Sequence, residues 1–292
     1  MNDAAPSRDP ARQAPPTIEE VEARLQEDQA NREARNRIWS FLFPSAMVVA
    51  FFALWEGVTL VFTIPAFLLP APSEILVSIE AHAGLILKES VVTTIEIALG
   101  FGLSVVVGIP LALAIFLWTP FALTVYPLLV GSQAVPKVAV APLFLIWFGF
   151  GLLPKVLIAF LIAFFPIVIN TVMGLSGIER EKIYLAQSMG LSPMRTFYKI
   201  RLPNALPSIF AGFKISITLA VVGAVVGEFV GGDAGLGYML MVANGSMDTA
   251  LLFAGLVALT LLGVVFFGLI VVVERLMLPA HAIDSATAAR QS

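Results

Sequence analysis

The chain has 292 residues, of which 59% are hydrophobic and only 13% charged. Soluble domains are about half apolar and about a quarter charged, so this surplus of apolar surface has no water-soluble core to fill. A net charge of −3 offers little to nucleic acid, and the absence of cysteine excludes disulfides, thiolate metal sites and cysteine nucleophiles. His82 and His281 lie far apart and outside the apolar runs, so no histidine metal site is expected.

Residues 1–39 form a polar tail. Residues 1–16 are rich in Ala, Pro and Asp and read as disordered. Thr17 and Glu20 then have capping-box spacing before a charged helix over Val21–Arg37. The tail lacks the basic start and early apolar core of a signal peptide, so it is expected to stay in the cytoplasm.

Residues 40–280 read as an all-α membrane region. A spanning helix needs about 20 mostly apolar residues. Six stretches qualify: Ser40–Ile64, Ser90–Trp118, Phe121–Phe148, Leu153–Gly174, Leu206–Val230 and Ala250–Val273. Between the first two, Pro65–Glu89 predicts an amphipathic helix capped by Ser73, suited to a binding-protein face or to lipid. Gly100, Gly102, Ser104 and Gly108 in the second span, and Gly223 with Gly227 in the fifth, suit close helix packing. Basic residues concentrate on one side if the N-terminus is inside: the tail, Lys214, Arg275 and the loop at 178–205 against only Lys88 and Lys155 outside. Residues 281–292 then form a cytoplasmic C-terminal tail.

Charges at membrane depth are costly and mark functional candidates. Glu56 lies in the first span, Glu96 near the outer start of the second, where it reaches interfacial water, and Lys137 inside the third. Asn170 is a polar group in the fourth, and Glu228 introduces a Gly-rich stretch with Gly235 and Gly237 that suits a gate. Pro127, Gly131, Pro136 and Pro142 interrupt the third span, as in helices that surround a transport path. Lys137, Asn170, Glu228, Gly235 and Gly237 are therefore the pathway or gate candidates. Lys137 would attract an anion, or else pair with a buried group such as Glu56.

Glu179–Pro207 is a charged island between apolar segments. Its sequence spells helix, turn and helix: Glu179–Met189, a stop at Gly190, Ser192 as N-cap, Pro193 as first helical residue, and Met194–Ile200 ended by Leu202-Pro203. Gly190 is expected to take a positive φ. No GxxxxGK[ST] phosphate loop occurs, so this chain has no ATP cradle of its own and no catalytic motif stands out.

The spacing of Ala186, Gly190, Ile200, Leu202 and Pro203 resembles the "EAA" coupling loop of permease subunits in binding-protein-dependent ABC importers. The family's Glu-Ala-Ala is here Tyr184-Leu185-Ala186. Leu69–Glu74, Gly108–Leu111, Ala141–Leu143, Trp147–Gly149, Phe164–Pro166 and Gly235–Tyr238 extend the resemblance to the nitrate/sulfonate/taurine branch. It implies a type I importer fold, a non-catalytic transport subunit, and a coupling surface of Tyr184, Ala186, Gly190, Ser192, Pro193, Arg195, Ile200, Leu202 and Pro203. It also implies an external binding protein, a second permease copy and a separate ATPase that holds ATP and Mg, with no cofactor or metal in this chain. Expected solutes are nitrate, a sulfonate, taurine, a carboxylate or a pyrimidine-type precursor. The alternative, an ion-coupled secondary transporter, predicts an inverted repeat that the sequence does not display.

Overall fold

The computed structural model describes residues 42–278; the expectations for the N-terminal tail and for residues 281–292 lie outside them. Two units separate at Thr63. The first contributes one helix, α1 (Leu42–Val61), long and apolar enough to cross a membrane. Its aromatic residues cluster along one stretch, with Phe52 and Trp55 stacked at 6.0 Å.

The second unit begins with α2 (Pro72–Ala81) and α3 (Ala83–Leu117). The cap of α2 is Ala71 rather than Ser73: Pro72 takes the first helical position, where a missing N–H costs nothing, and Glu74 accepts from the Ala71 N–H at 2.9 Å. The second span starts at Ala83, seven residues before Ser90, because the amphipathic segment runs almost directly into it.

The third predicted span is not one helix. It divides into α4 (Thr119–Ser132) and α5 (Lys137–Phe148), bent by 98°. The break falls only at Gln133–Pro136. Pro136 cannot donate to a continuing helix and restricts the residue before it. Pro127 and Pro142 sit inside α4 and α5 without ending them.

Helix α6 (Leu152–Ser176) is the centre of the unit, packed between α3 and α9 (Leu202–Gly231). Small residues set this closeness. A Cβ on Gly100 would lie 2.5 Å from the Ala159 Cβ, and one on Gly223 would lie 2.5 Å from the Ala159 Cα. Ala159 is thus held between two glycines of different helices, the small-on-small packing that apolar surroundings favour. Gly102 faces open space. One element absent from the sequence reading completes the fold, α10 (Leu236–Gly245), a short helix after the Gly-rich turn; the last span, α11 (Thr249–Met277), starts within one residue of its expected place and runs four residues further. Asp248 caps α11, accepting from the Leu251 N–H at 3.0 Å. Among the described residues, five helices are long and apolar enough to span, or six with the bent pair counted as one.

Candidate functional site

Helices α3, α6 and α9 run the length of the unit, and polar groups collect at both ends. One end, here the loop end, carries α7 (Arg180–Ser188) and α8 (Pro193–Thr196). Helix α7 closes with a Schellman motif: the Gly190 N–H donates to the Gln187 carbonyl at 2.9 Å, and the Leu191 N–H to Ala186 at 3.1 Å. Gly190 has φ +77°, as its place after the helix requires, and a Cβ there would meet nothing within 4 Å. The demand for glycine is therefore conformational rather than steric. Ala186 is buried, Ser192 caps α8, and Pro193 opens it.

The second helix of the loop differs from expectation. Leu202-Pro203 does not end it. A π turn over Phe197–Arg201 joins α8 to α9, with the Leu202 N–H donating to the Phe197 carbonyl. Pro203 then falls in the first turn of α9, where it needs no donor. The π turn absorbs the proline, so loop and span form one continuous rod from Pro193 to Gly231. Arg195 and Ile200 lie on this rod. Tyr184, Leu185, Met189, Met194 and Tyr198 are each at least 60% exposed in an otherwise polar loop.

The opposite end holds a buried polar cluster that the sequence reading only partly assembled. Glu89, Thr93 and Glu96 occupy positions i, i+4 and i+7 of α3 and so share one face. Lys155 of α6 stands 3.0 Å from Glu96 Oε1, with both side chains almost fully buried, and it donates to the Ala234 carbonyl at 3.1 Å. Glu96 does not reach interfacial water: α6 and α9 cover it completely. Glu228 of α9 accepts from Thr93 Oγ1 at 2.6 Å and from the Gly237 N–H. The Gly235 N–H donates to Glu89 at 2.6 Å, and the Leu236 N–H donates to Thr93 at 2.8 Å.

These bonds fasten the turn between α9 and α10 to the other two helices. The three N–H groups at the start of α10 would otherwise be unpaired and buried. Gly235 has φ +111°, and Cβ atoms on Gly235 or Gly237 would collide with the Glu228 carboxylate. The Gly-x-Gly spacing is therefore dictated by the carboxylate it wraps. Of the gate candidates, Glu228, Gly235 and Gly237 are brought into contact. Glu89, Thr93 and Lys155 were missed, although the i, i+4, i+7 spacing on α3 was readable.

Lys137 and Asn170 are not brought into a shared hydrogen bond. Lys137 opens α5 at the elbow, half-buried, with its ammonium 4.4 Å from the centroid of the Phe165 ring. The Asn170 amide donates to the Pro166 carbonyl of its own helix at 2.8 Å, and Gly212 of α9 packs on its Cβ. Among the described residues, no group of three His, Cys, Asp or Glu side chains is placed to hold a metal ion.

Long spans packed through small residues, a broken helix and a structured polar loop define a polytopic membrane transport protein. The chain belongs to the family of binding-protein-dependent transport system inner membrane components, whose model matches residues 104–279. It is 36% identical to the formylaminopyrimidine transport permease protein of Halalkalibacterium halodurans over 244 residues, 83% of this chain and 97% of that one. It is 38% identical over 243 residues to the riboflavin transport system permease protein of Chloroflexus aurantiacus, covering 82% and 90%. A putative aliphatic sulfonates transport permease protein of Bacillus subtilis is 30% identical over 239 residues, covering 81% and 85%. The fold matches the MetNI methionine ABC transporter in an inward-facing form, with a TM-score of 0.59 and 20% identity, over 67% of this chain and 97% of that one. This chain is a transmembrane permease subunit of an ATP-binding-cassette importer.

Proposed function

We propose that the loop over 178–205 is the surface through which a separate ATPase drives this permease, and that the loop end faces the cytoplasm. The observation that carries this is the exposed apolar set Tyr184, Leu185, Met189, Met194 and Tyr198 on a rigidly capped loop. Apolar groups gathered on a polar loop mark a protein contact. The continuous rod from Pro193 to Gly231 then passes a push at the loop directly to α9 and to the turn clamped by Glu228. Basic residues concentrated at the loop end support the cytoplasmic orientation.

Two copies of the permease surround the pathway, each joined to an ATPase subunit that holds ATP and Mg, with a solute-binding protein on the far side. The chain itself is non-catalytic. The buried cluster of Glu89, Thr93, Glu96, Lys155 and Glu228 holds the far end closed around the Gly-rich turn, and Gly235 and Gly237 make that turn possible.

The solute is a small polar organic molecule with strong acceptor atoms, either a pyrimidine-type heterocycle or a sulfonate. The relatives named above handle formylaminopyrimidine, riboflavin and aliphatic sulfonates. Lys137 supplies a donor cation at the elbow, and no carboxylate among the described residues is ion-paired with it. Phe165 keeps the ammonium in place by a cation–π contact of about 0.5–2 kcal/mol. The test is ATP-driven uptake of the binding protein's own ligand by reconstituted complex, at matched expression. Lys137→Arg should retain most uptake and Lys137→Gln should lose most of it. Equal uptake by both variants and wild type would remove Lys137 from the pathway.

A further inference from the structure

A cavity of about 580 Å³ opens at the loop end, between the end of α3, the start of α4, the end of α6 and α7. Arg180, Ile183 and Arg201 of the loop line it, but none of the exposed apolar set on that loop and no member of the far-end cluster does. Its walls are apolar, with Ile115, Phe116 and Ile183 among them, and two guanidinium groups, Arg180 and Arg201, stand in its lining with Tyr126. No acidic side chain lines it, and neither arginine makes an ion pair among the described residues.

Arg201 is pre-positioned. The π turn brings it to the base of α9, its Nη1 donates to the Leu175 carbonyl at 3.4 Å, and its guanidinium lies 5.1 Å from the centroid of the Phe116 ring. One hydrogen bond leaves most of its donors open. Arg180 is exposed at the start of α7.

The level of this cavity along the spans has a second marker. Trp118 is 60% exposed and stacks in parallel on Phe121, with centroids 5.8 Å apart. Tyr126 lies further along α4, in the cavity lining. Trp and Tyr gather where hydrocarbon meets headgroups. The cavity therefore combines greasy walls, two unpaired cations and interfacial depth.

We propose that this cavity binds an anionic phospholipid, with its phosphate between Arg180 and Arg201 and an acyl chain along Phe116 and Ile183. A zwitterionic lipid offers the same chains without net charge, and a soluble phosphate offers the charge without chains. The lipid stands where α7 meets the spans, so it steadies the base of the loop. The inference depends on the proposed orientation only for which leaflet supplies the lipid.

The test uses the full chain with its ATPase subunit, delipidated in mild detergent and examined by native mass spectrometry. Phosphatidylglycerol and phosphatidylcholine of matched chains compete, and glycerol 3-phosphate is the soluble arm. Phosphatidylglycerol adducts should dominate, and Arg180→Gln and Arg201→Gln should each cut that preference about fivefold, the scale of one basic residue at an anionic headgroup. Arg201→Lys should keep it. Equal retention of the two lipids overturns the proposal, as does a preference unchanged in Arg180→Gln, whose exposed side chain is not needed for folding. Displacement of the lipid by glycerol 3-phosphate would make this a soluble-anion site and also overturns it. Adducts that form only without the ATPase subunit would mean a polypeptide fills the cavity, with the same result. Uptake is followed in parallel: normal ATP-driven uptake without lipid preference sinks this inference alone, and lipid preference without such uptake sinks the importer reading alone.

Discussion

Lys155→Met should destabilise the permease by about 3–5 kcal/mol, the range for removing one partner of a buried ion pair. The lysine and Glu96 are 3% and 0% exposed, so no water can replace the lost ammonium. Glu96 would be left with the Glu228 carboxyl beside it and no cation. The Ala234 carbonyl would lose its donor as well. Thermal unfolding of the detergent-solubilised chain reads the effect as a large drop in midpoint. Adding Glu96→Leu to Lys155→Met should recover most of that drop, because the orphaned charge is then gone. Such a replacement of a buried pair by apolar groups is often neutral or favourable. A single variant as stable as wild type would mean that Glu96 is not dependent on this lysine.

Gly190→Val should abolish coupled transport while leaving membrane insertion intact. At φ +77° an L-residue costs roughly 1–2 kcal/mol, and a β-branched side chain pays at the upper end. There is space around Gly190, so the cost falls on the backbone, and the Schellman closure from Ala186 and Gln187 gives way. The exposed apolar set on α7 would then lose its fixed relation to α8. Co-purification of the ATPase subunit and ATP-driven uptake should both collapse. Gly190→Asn should be milder, because Asn visits this conformation more readily. Normal co-purification and uptake in the valine variant would show that the loop geometry is not what the ATPase grips.

Much of this was readable because membrane insertion writes itself into composition. Length and apolarity alone locate the spans, and Gly190, Ser192 and Pro193 announce their caps through local chemistry. What was not readable depended on distance in sequence. Lys155 looks like an outer-loop cation until α6 carries it against Glu96 of α3. The elbow at Gln133–Pro136 hid among four helix breakers of which only one region bends the chain. Pro203 signals a stop by itself, and only the preceding π turn turns it into a beginning. Helix α10 is short and apolar, and its start depends on carboxylates from other helices.

The most direct measurement is sided uptake in proteoliposomes that contain this chain and its ATPase subunit. The solute-binding protein is supplied on one face and ATP on the other. Uptake should occur only when ATP is on the face that carries the 178–205 loop, as marked by protease access to that loop, and the binding protein is opposite. It should persist when ion gradients are collapsed. Uptake driven by an ion gradient without ATP, or ATP acting from the face opposite the loop, would contradict the account.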